Sequence, residues 1–226
     1  MKVELIIPAY NEEDAIGEVV REVPREVVSR VIVVDNASTD GTGRAAREAG
    51  AEVVCEKRRG YGSACLAGVC ALKDAEVVVF LDGDRSDDPR EIQLLIDPIL
   101  EGRADFVIGS RIGRMERGAL TPQQLAGNRV ATTLIRLLYG VRLADLGSFR
   151  ALRREALESL GMSNLSYGWP VEMVVKAAKR GYRIAEVPIT YRRRIGESKV
   201  SGTLKGSLLA GYHMISTILR YALARS

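Results

Sequence analysis

The run Val77–Leu81, VVVFL, passes without a break into Asp82-Gly83-Asp84. Five consecutive apolar residues read as a strand buried on both faces. It ends in two carboxylates one residue apart, and aspartates are depleted in strands. Their charges repel, so something cationic is expected beside them. A hard divalent ion such as Mg2+ or Mn2+ takes carboxylate oxygens of this kind. An Asp-rich turn without a ligand fits the stretch equally well by itself.

Other short apolar runs precede and follow this one. Residues 3–8 (VELIIP), Val31–Val34, Ala51–Cys55, Glu76–Leu81 and Asp105–Gly109 read as strands. Helical stretches separate them: Glu12 to Val23 with Asn11 as a cap, Arg44–Gly50 capped by Asp40, Gly62–Lys73, and a helix opened by Asp88-Pro89 and running to Glu101. Strands alternating with helices imply an α/β fold, a mostly parallel central sheet flanked by helices on both faces. In such sheets ligands sit at the carboxyl ends of the strands. The residues at those ends are Pro8 and Tyr10, Asp35, Asp82 and Asp84, and Arg111, so they converge on one rim.

Charge divides the chain. Residues 1–100 carry 12 Lys and Arg against 20 Asp and Glu, a net −8; residues 101–226 carry 21 against 9, a net +12. The basic half suits an anionic partner such as phosphate or a membrane surface, or it is a solvated basic face. No recognised nucleic-acid-binding motif occurs, and the acidic first half speaks against that partner. Three cysteines without CxxC spacing read as reduced thiols, and the single histidine, His213, excludes a multi-histidine metal site. The chain opens directly on the strand-like VELIIPAY with no basic leader. No apolar run reaches the ~20 residues of a membrane span. A cytoplasmic protein, peripheral at most to the membrane, is the expectation.

A dinucleotide-binding domain would place GxGxxG after the first strand, where this chain has PAYNEE. Gly60-Tyr61-Gly62 is a GxG after the third strand, either a loop near phosphate or ribose or a plain turn. In the second half, Thr121–Tyr139 reads as a helix carrying Asn128 and Arg129, Arg153–Leu160 as a short helix, Val171–Arg180 as a helix with Glu172 near its start, Tyr182–Tyr191 as strand-like, and Leu204–Leu223 as a last helix. The apolar stripe Leu204, Leu208, Leu209, Tyr212, Ile215, Leu219 and Leu223 of that helix is expected to pack on the body or on a second subunit, or to lie in a membrane interface.

The segments IIPAYNEE, IVVDNASTDGT, FLDGD, VIGSR, DLGSFRALRREAL and GESKVSGT occur in this order. With them in place, the chain resembles the family 2 inverting glycosyltransferases of the GT-A nucleotide-diphospho-sugar transferase fold. Within that family it is most similar to the dolichyl-phosphate mannose synthase and polyprenyl-phosphate glycosyltransferase group. The resemblance covers nearly the whole chain. It implies one catalytic domain, with a nucleotide-sugar-binding half (1–112) and an acceptor half (113–226) that holds a basic loop (192–202) and a C-terminal helix (203–224). Homo-oligomerisation through that helix is a further expectation.

The resemblance also implies roles. Pro8, Tyr10 and Glu12 line the base pocket, Asp35 holds base or ribose, and Gly60 and Gly83 lie against the donor. Asp82 sits beside the nucleotide, and Asp84 binds Mg2+ or Mn2+ through the DxD pattern, with Asp82 contributing. Arg111 approaches phosphate. Arg129, Arg193, Arg194, Ser198 and Lys199 face the acceptor phosphate or the donor diphosphate, and Arg194 neutralises the leaving group. Two departures stand out. Ser86 occupies the place where the family often has a glutamine metal ligand, so the third ligand is Ser86 or water. Membrane spans are usual beyond the catalytic domain in that group, and none is present here.

The activity so implied is transfer of a sugar from a UDP- or GDP-sugar to a polyprenyl or dolichyl phosphate. A small soluble hydroxyl acceptor is the alternative and requires a base, for which Asp145 and Glu172 are the available carboxylates. Their bland roles are a loop cap and an ion pair. Nucleotidyl transfer would need a Gly-rich phosphate loop after the first strand. A non-catalytic nucleotide-sugar-binding module would show no metal-dependent turnover.

Overall fold

The structure is a computed structural model and describes residues 1–196 and 204–223. Its centre is a seven-stranded sheet in the order β3-β2-β1-β4-β6-β5-β7. The strands are β1 (Val3–Ala9), β2 (Arg30–Asp35), β3 (Glu52–Cys55), β4 (Val77–Phe80), β5 (Phe106–Ser110), β6 (Arg150–Arg153) and β7 (Ile184–Pro188). All neighbours pair parallel except β6, which runs antiparallel to both β4 and β5. All seven residues of β1 are buried, as its apolar run implied. Alternation divides them between two cores. Leu5 and Ile7 pack with α1 (Glu13–Glu22) and α4 (Ile92–Leu100), while Ile6 packs on the opposite face with α3 (Tyr61–Cys70) and α7 (Trp169–Lys179). The one charge inside β1, Glu4, accepts from Arg30 at 2.6 Å and from the Lys73 and Asp74 amides.

The remaining helices are α2 (Thr42–Glu48), α5 (Pro122–Tyr139), α6 (Arg154–Leu160) and α8 (Leu204–Leu223). Thr121 and Gln124 form a reciprocal capping box at the start of α5. The helix expected over Arg44–Gly50 spans Thr42–Glu48, and its N-cap is Gly41, not Asp40, which stands one residue earlier and accepts from the Thr42 amide at 3.0 Å. Asn11 does not cap α1. It takes a left-handed φ of 52° and instead exchanges hydrogen bonds with Thr39, tying the end of β1 to the turn after β2. The helix expected to open at Asp88-Pro89 begins as a 3-10 turn, Pro89–Glu91, with Asp88 accepting from the Arg90 amide.

Two features differ from expectation. β6 was not anticipated: its four residues are bracketed by arginines, a pattern that reads as loop and helix start. Arg150 is nonetheless buried, donating to the Pro170 and Gly147 carbonyls. The reversed strand returns the loop 143–149 to the rim where the other strands end. In α8, the described side chains of the apolar stripe, Leu209, Tyr212, Ile215, Leu219 and Leu223, are exposed and so do not pack on the body; the helix packs there through Met214, Thr217, Ile218 and Tyr221. A helix apolar on more than one face cannot show by periodicity which face is buried.

Close approach explains the GxG. Gly60 has a φ of 148°, and a Cβ there would sit 2.2 Å from the Leu165 carbonyl oxygen; one on Gly62 would sit 2.0 Å from that of Asn164. The start of α3 is thereby clamped to the loop 163–168, with the Ser63 amide donating to the Leu165 carbonyl at 3.1 Å. Gly62→Ala is expected to destabilise the protein by about 2 kcal/mol, measured by urea unfolding. An unchanged midpoint would show that the two segments can part freely.

Candidate active site

Two adjoining cavities open at the carboxyl ends of the strands. The first, about 180 Å³, is lined by Pro8 in β1 and Tyr10 and Glu12 after it, Asn36 after β2, Arg59, Gly60 and Tyr61 before and in α3, and Asp82, Gly83 and Asp84 after β4. The second, about 300 Å³, is walled by Arg111, by Gln123, Gln124, Gly127 and Asn128 of α5, by Ser148 and Tyr191, and by Gly211 and Met214 of α8. Asp82, Asp84, Tyr61, Tyr167 and Arg194 line both.

The two aspartates are held differently. Asp82 accepts from the Tyr61 hydroxyl at 3.1 Å. Burial, then the neighbouring charge of Asp84, pushes its carboxyl above the usual aspartate value. Asp84 is fixed by Ser86, whose amide and hydroxyl both donate to Oδ1, at 3.0 and 2.6 Å. Between them, Arg85 has a left-handed φ of 64°, a conformation that costs a non-glycine residue about 1 kcal/mol. Ion pairs from Arg85 to Glu18 (3.0 Å) and Glu22 (2.7 Å) on α1 hold it there. Beneath lies Asp87, which lines neither cavity. It is buried, its Oδ1 has no hydrogen-bond partner among the described residues, and its carboxyl is pushed well up by burial and by Asp82 and Asp84.

A strap from the end of β7 crosses this acidic end. The Arg192 amide donates to the Ser86 carbonyl at 2.7 Å and the Ile195 amide to that of Asp84 at 3.0 Å. The strap sets the Arg194 guanidinium between Glu12 (2.9 Å) and Asp84 (3.2 Å). Arg192 is anchored to Glu22 and Asp88.

Several candidate residues stand elsewhere. Asp35 lines neither cavity; its Oδ1 accepts from the Ser38 amide at 3.0 Å, and the side chain after it enters the site instead. Asn36 accepts from the Gly60 amide at 2.8 Å and donates to the Glu56 and Arg58 carbonyls. Ser86 is spent on Asp84 and lines neither cavity. Arg129 is exposed on α5, whereas the adjacent Asn128 faces the second cavity. Arg193 turns away to the Arg117 carbonyl. Arg111 lines the second cavity and not the first. Ser198 and Lys199 lie outside the described residues.

Neither proposed base is free. Asp145 is buried and forms a two-pronged pair with Arg111, Nε–Oδ2 2.7 Å and Nη2–Oδ1 2.7 Å. Burial would raise its carboxyl, but the Arg111 guanidinium prevails and holds it below the usual value. Glu172 lines neither cavity. It accepts from Lys176 (2.7 Å), the Tyr221 hydroxyl (2.6 Å), the Ser163 hydroxyl (2.9 Å) and the Asn164 amide (2.8 Å). It thus bolts α8 and the loop 163–168, with Tyr167, to α7.

Sequence reasoning missed Arg59, Tyr61, Tyr167 and Ser148. The Arg59 guanidinium lies 3.2 Å over the Tyr10 ring, a pairing of a cation with an aromatic face across the mouth of the first cavity. The charged loop 56–61 signalled a phosphate neighbourhood, but the partner ring lies about fifty residues earlier in the chain.

The chain belongs to glycosyl transferase family 2, whose family model matches residues 4–161. Among its relatives is a protein of Haloferax volcanii named dolichyl-phosphate hexose transferase. It is 36% identical over 209 residues, which cover 91% of this chain and 89% of that one. An undecaprenyl-phosphate mannosyltransferase of Micrococcus luteus is 34% identical, with 91% and 90% covered. Among solved structures, glucosyl-3-phosphoglycerate synthase of Mycobacterium tuberculosis, crystallised with Mn2+, UDP-glucose and phosphoglyceric acid, superposes with a TM-score of 0.82. It shows 25% identity and covers all of this chain and 81% of that one. The protein is a glycosyltransferase with the GT-A fold.

Burial tends to raise the Glu172 carboxyl, but its donors, Lys176 first, hold it below the usual glutamate value. The stability it supplies is complete above the unfolded value of about 4.3 and is lost as pH falls through the lower folded value. Glu172→Gln is therefore expected to cost about 2 kcal/mol at neutral pH. The difference from the parent should shrink below about pH 4, as read by urea unfolding across that range.

Proposed function

We propose that the protein transfers a hexose from a UDP- or GDP-sugar to a polyprenyl phosphate, with inversion at the anomeric carbon. The observation that carries this reading is the second cavity. It meets the first at Asp82 and Asp84, carries Arg111 and Arg194, and is reached by neither carboxylate that could have served as a base. A hydroxyl acceptor would have to lose a proton to such a base. A phosphate arrives ionised and needs none.

The first cavity suits the donor. The Tyr10 ring and Arg59 border a slot for the base, with Asn36 and Gly60 at its floor, and the diphosphate would lie towards Asp82 and Asp84. Two neighbouring carboxylates of like charge, their hard oxygen donors facing a cavity, fit a divalent cation. Among the described residues, no three His, Cys, Asp or Glu side chains could hold a metal ion between them. That suits Mg2+ or Mn2+, which are commonly held by one or two carboxylates plus substrate phosphates. Asp82 and Asp84 would hold it, with Ser86 fixing the orientation of Asp84. When bound, the ion supplies positive charge to the departing diphosphate. The Mn2+ and UDP-glucose in the related synthase support this arrangement.

In the reaction, an acceptor phosphate oxygen attacks the anomeric carbon from the face opposite the diphosphate. The bond from that carbon to the diphosphate oxygen breaks, its electron pair leaving with the nucleoside diphosphate. Arg194, released from Glu12 and Asp84, can follow the charge onto the leaving group. Arg111, kept extended by Asp145, offers its guanidinium edge to the acceptor phosphate.

The test is a panel of UDP- and GDP-sugars with undecaprenyl phosphate, and separately with soluble hydroxyl acceptors, following nucleoside diphosphate release and lipid-linked sugar. The expected result is a metal-dependent lipid product, abolished by chelator and reduced about a thousandfold in Asp84→Ala. Product on hydroxyl acceptors alone, or turnover indifferent to Asp84→Ala, would overturn the reading.

A further inference from the structure

Glu186 stands in the middle of β7, an edge strand of the sheet, between Ala185 and Val187, which pack on the core. A carboxylate is out of place in such a run. It lines neither cavity. Among the described residues its partners are two successive backbone amides, Ala144 to Oε2 at 2.8 Å and Asp145 to Oε1 at 2.9 Å. The next amide, Leu146, donates to Asn128 Oδ1 at 3.0 Å, and Asn128 Nδ2 donates to the Ala144 carbonyl at 3.0 Å. The backbone on both sides of Asp145 is therefore held by two side chains, one from β7 and one from α5.

What this grip fixes is the direction of one carboxylate. Asp145 Oδ2 accepts from the Arg111 amide at 2.9 Å and from its Nε at 2.7 Å, and Oδ1 accepts from Nη2 at 2.7 Å. The guanidinium is thereby pinned along one edge, while its Nη1 has no hydrogen-bond partner among the described residues and Arg111 walls the second cavity. An arginine that is free in solution gives up rotamer freedom when it grips a phosphate. One already pinned has lost that freedom beforehand, so more of the contact energy appears as affinity. Loosening the amides of residues 144 and 145 would return the freedom to Asp145, and through it to Arg111.

We propose that Glu186 is a positioning residue for the acceptor: through two loop amides and Asp145 it fixes Arg111 before the acceptor phosphate arrives. The proposal rests on the polyprenyl-phosphate reading for what Arg111 meets, and on the hydrogen bonds alone for how it is held. Asn128 shares the task from α5, but it lines the second cavity itself, so its replacement would alter the cavity as well. Glu186 is the residue at which positioning can be changed without touching either cavity.

The test variant is Glu186→Gln, whose amide keeps one accepting oxygen and turns an N–H group towards the second backbone amide. The readout independent of the reaction is exchange of the Arg111 Nε–H proton with solvent, followed by proton–nitrogen NMR, with the resonance identified by its loss in Arg111→Lys. Exchange is expected to be at least about tenfold faster in Glu186→Gln. With undecaprenyl phosphate in detergent and the sugar nucleotide that serves the parent, the acceptor KM should rise at least about tenfold while kcat stays within about threefold. Affinity for UDP or GDP with Mn2+ should match the parent's. In an Arg111→Lys background, which lacks the two-pronged pair, Glu186→Gln should change the acceptor KM by less than about twofold. Glu186→Asp, which keeps the charge but shortens the reach, takes its place if Glu186→Gln does not fold. Unchanged Nε–H exchange, an unchanged acceptor KM, an equal loss of nucleotide affinity, or effects that simply add to those of Arg111→Lys would overturn the proposal. So would loss of the fold in both Glu186 variants. Failure of the transferase reading would show instead as no turnover by the parent with any lipid phosphate, and the proton exchange would still decide how Arg111 is held.

Discussion

Two like charges one residue apart, Asp82 and Asp84, set the problem that the rest of the rim answers. They stand where β4 leaves the sheet, half-buried and buried respectively, and burial with the charge of Asp84 makes Asp82 harder to ionise. The chain holds them by local means: Tyr61 on one, Ser86 on the other, and the left-handed Arg85 between, fastened to α1. Their neutralisation is left to groups that can come and go. Arg194 fills that role from a strap whose backbone pairs with residues 84–87, so the cation is delivered by the same segment that closes over the acidic end. A diphosphate arriving with a metal would take over the Asp84 contact and free the arginine to follow the developing charge.

The reversed strand β6 matters as much as the parallel ones. Because it starts at the rim and runs away from it, the loop before it brings Asp145 and Ser148 beside Arg111 and Asp82, and so builds a second cavity against the first. The two cavities, proposed to take donor and acceptor, then share Asp82, Asp84, Tyr61, Tyr167 and Arg194. Glu172 serves this arrangement from outside the cavities. Through Ser163 and Asn164 it fixes the loop that carries Tyr167 and clamps Gly60 and Gly62 at the start of α3, and it also grips α8 through Tyr221. The helix that presents an apolar face to its surroundings is thereby tied to the loop that borders both cavities.

Much of this was legible in the sequence because it is written in short range. Apolar runs that stop at a polar residue located five parallel strands and their ends, and the DxD pair announced itself by its cost. What could not be read was pairing at a distance. Asp145 and Glu172 have the chemistry of bases; only the placement of Arg111, and of Lys176 with Tyr221, shows both to be occupied. Asp35 and Asn36 are neighbours, and one step along the chain decides which enters the cavity. β6 is hidden because its buried arginine is satisfied by carbonyls from other segments. Of the three places open to the stripe of α8, only packing on the body is ruled out, since periodicity reports that a face is apolar and not what lies against it.

The central claim is that the Asp82–Asp84 pair is completed by a cation that arrives with the donor diphosphate. Isothermal titration of the protein with Mn2+, alone and in the presence of UDP or GDP, tests it most directly. Mn2+ alone is expected to bind weakly, to bind at least about tenfold more tightly in the presence of the nucleoside diphosphate, and to lose that gain in Asp84→Ala. Tight Mn2+ binding that ignores the nucleotide, or nucleotide binding that ignores Mn2+, would contradict it.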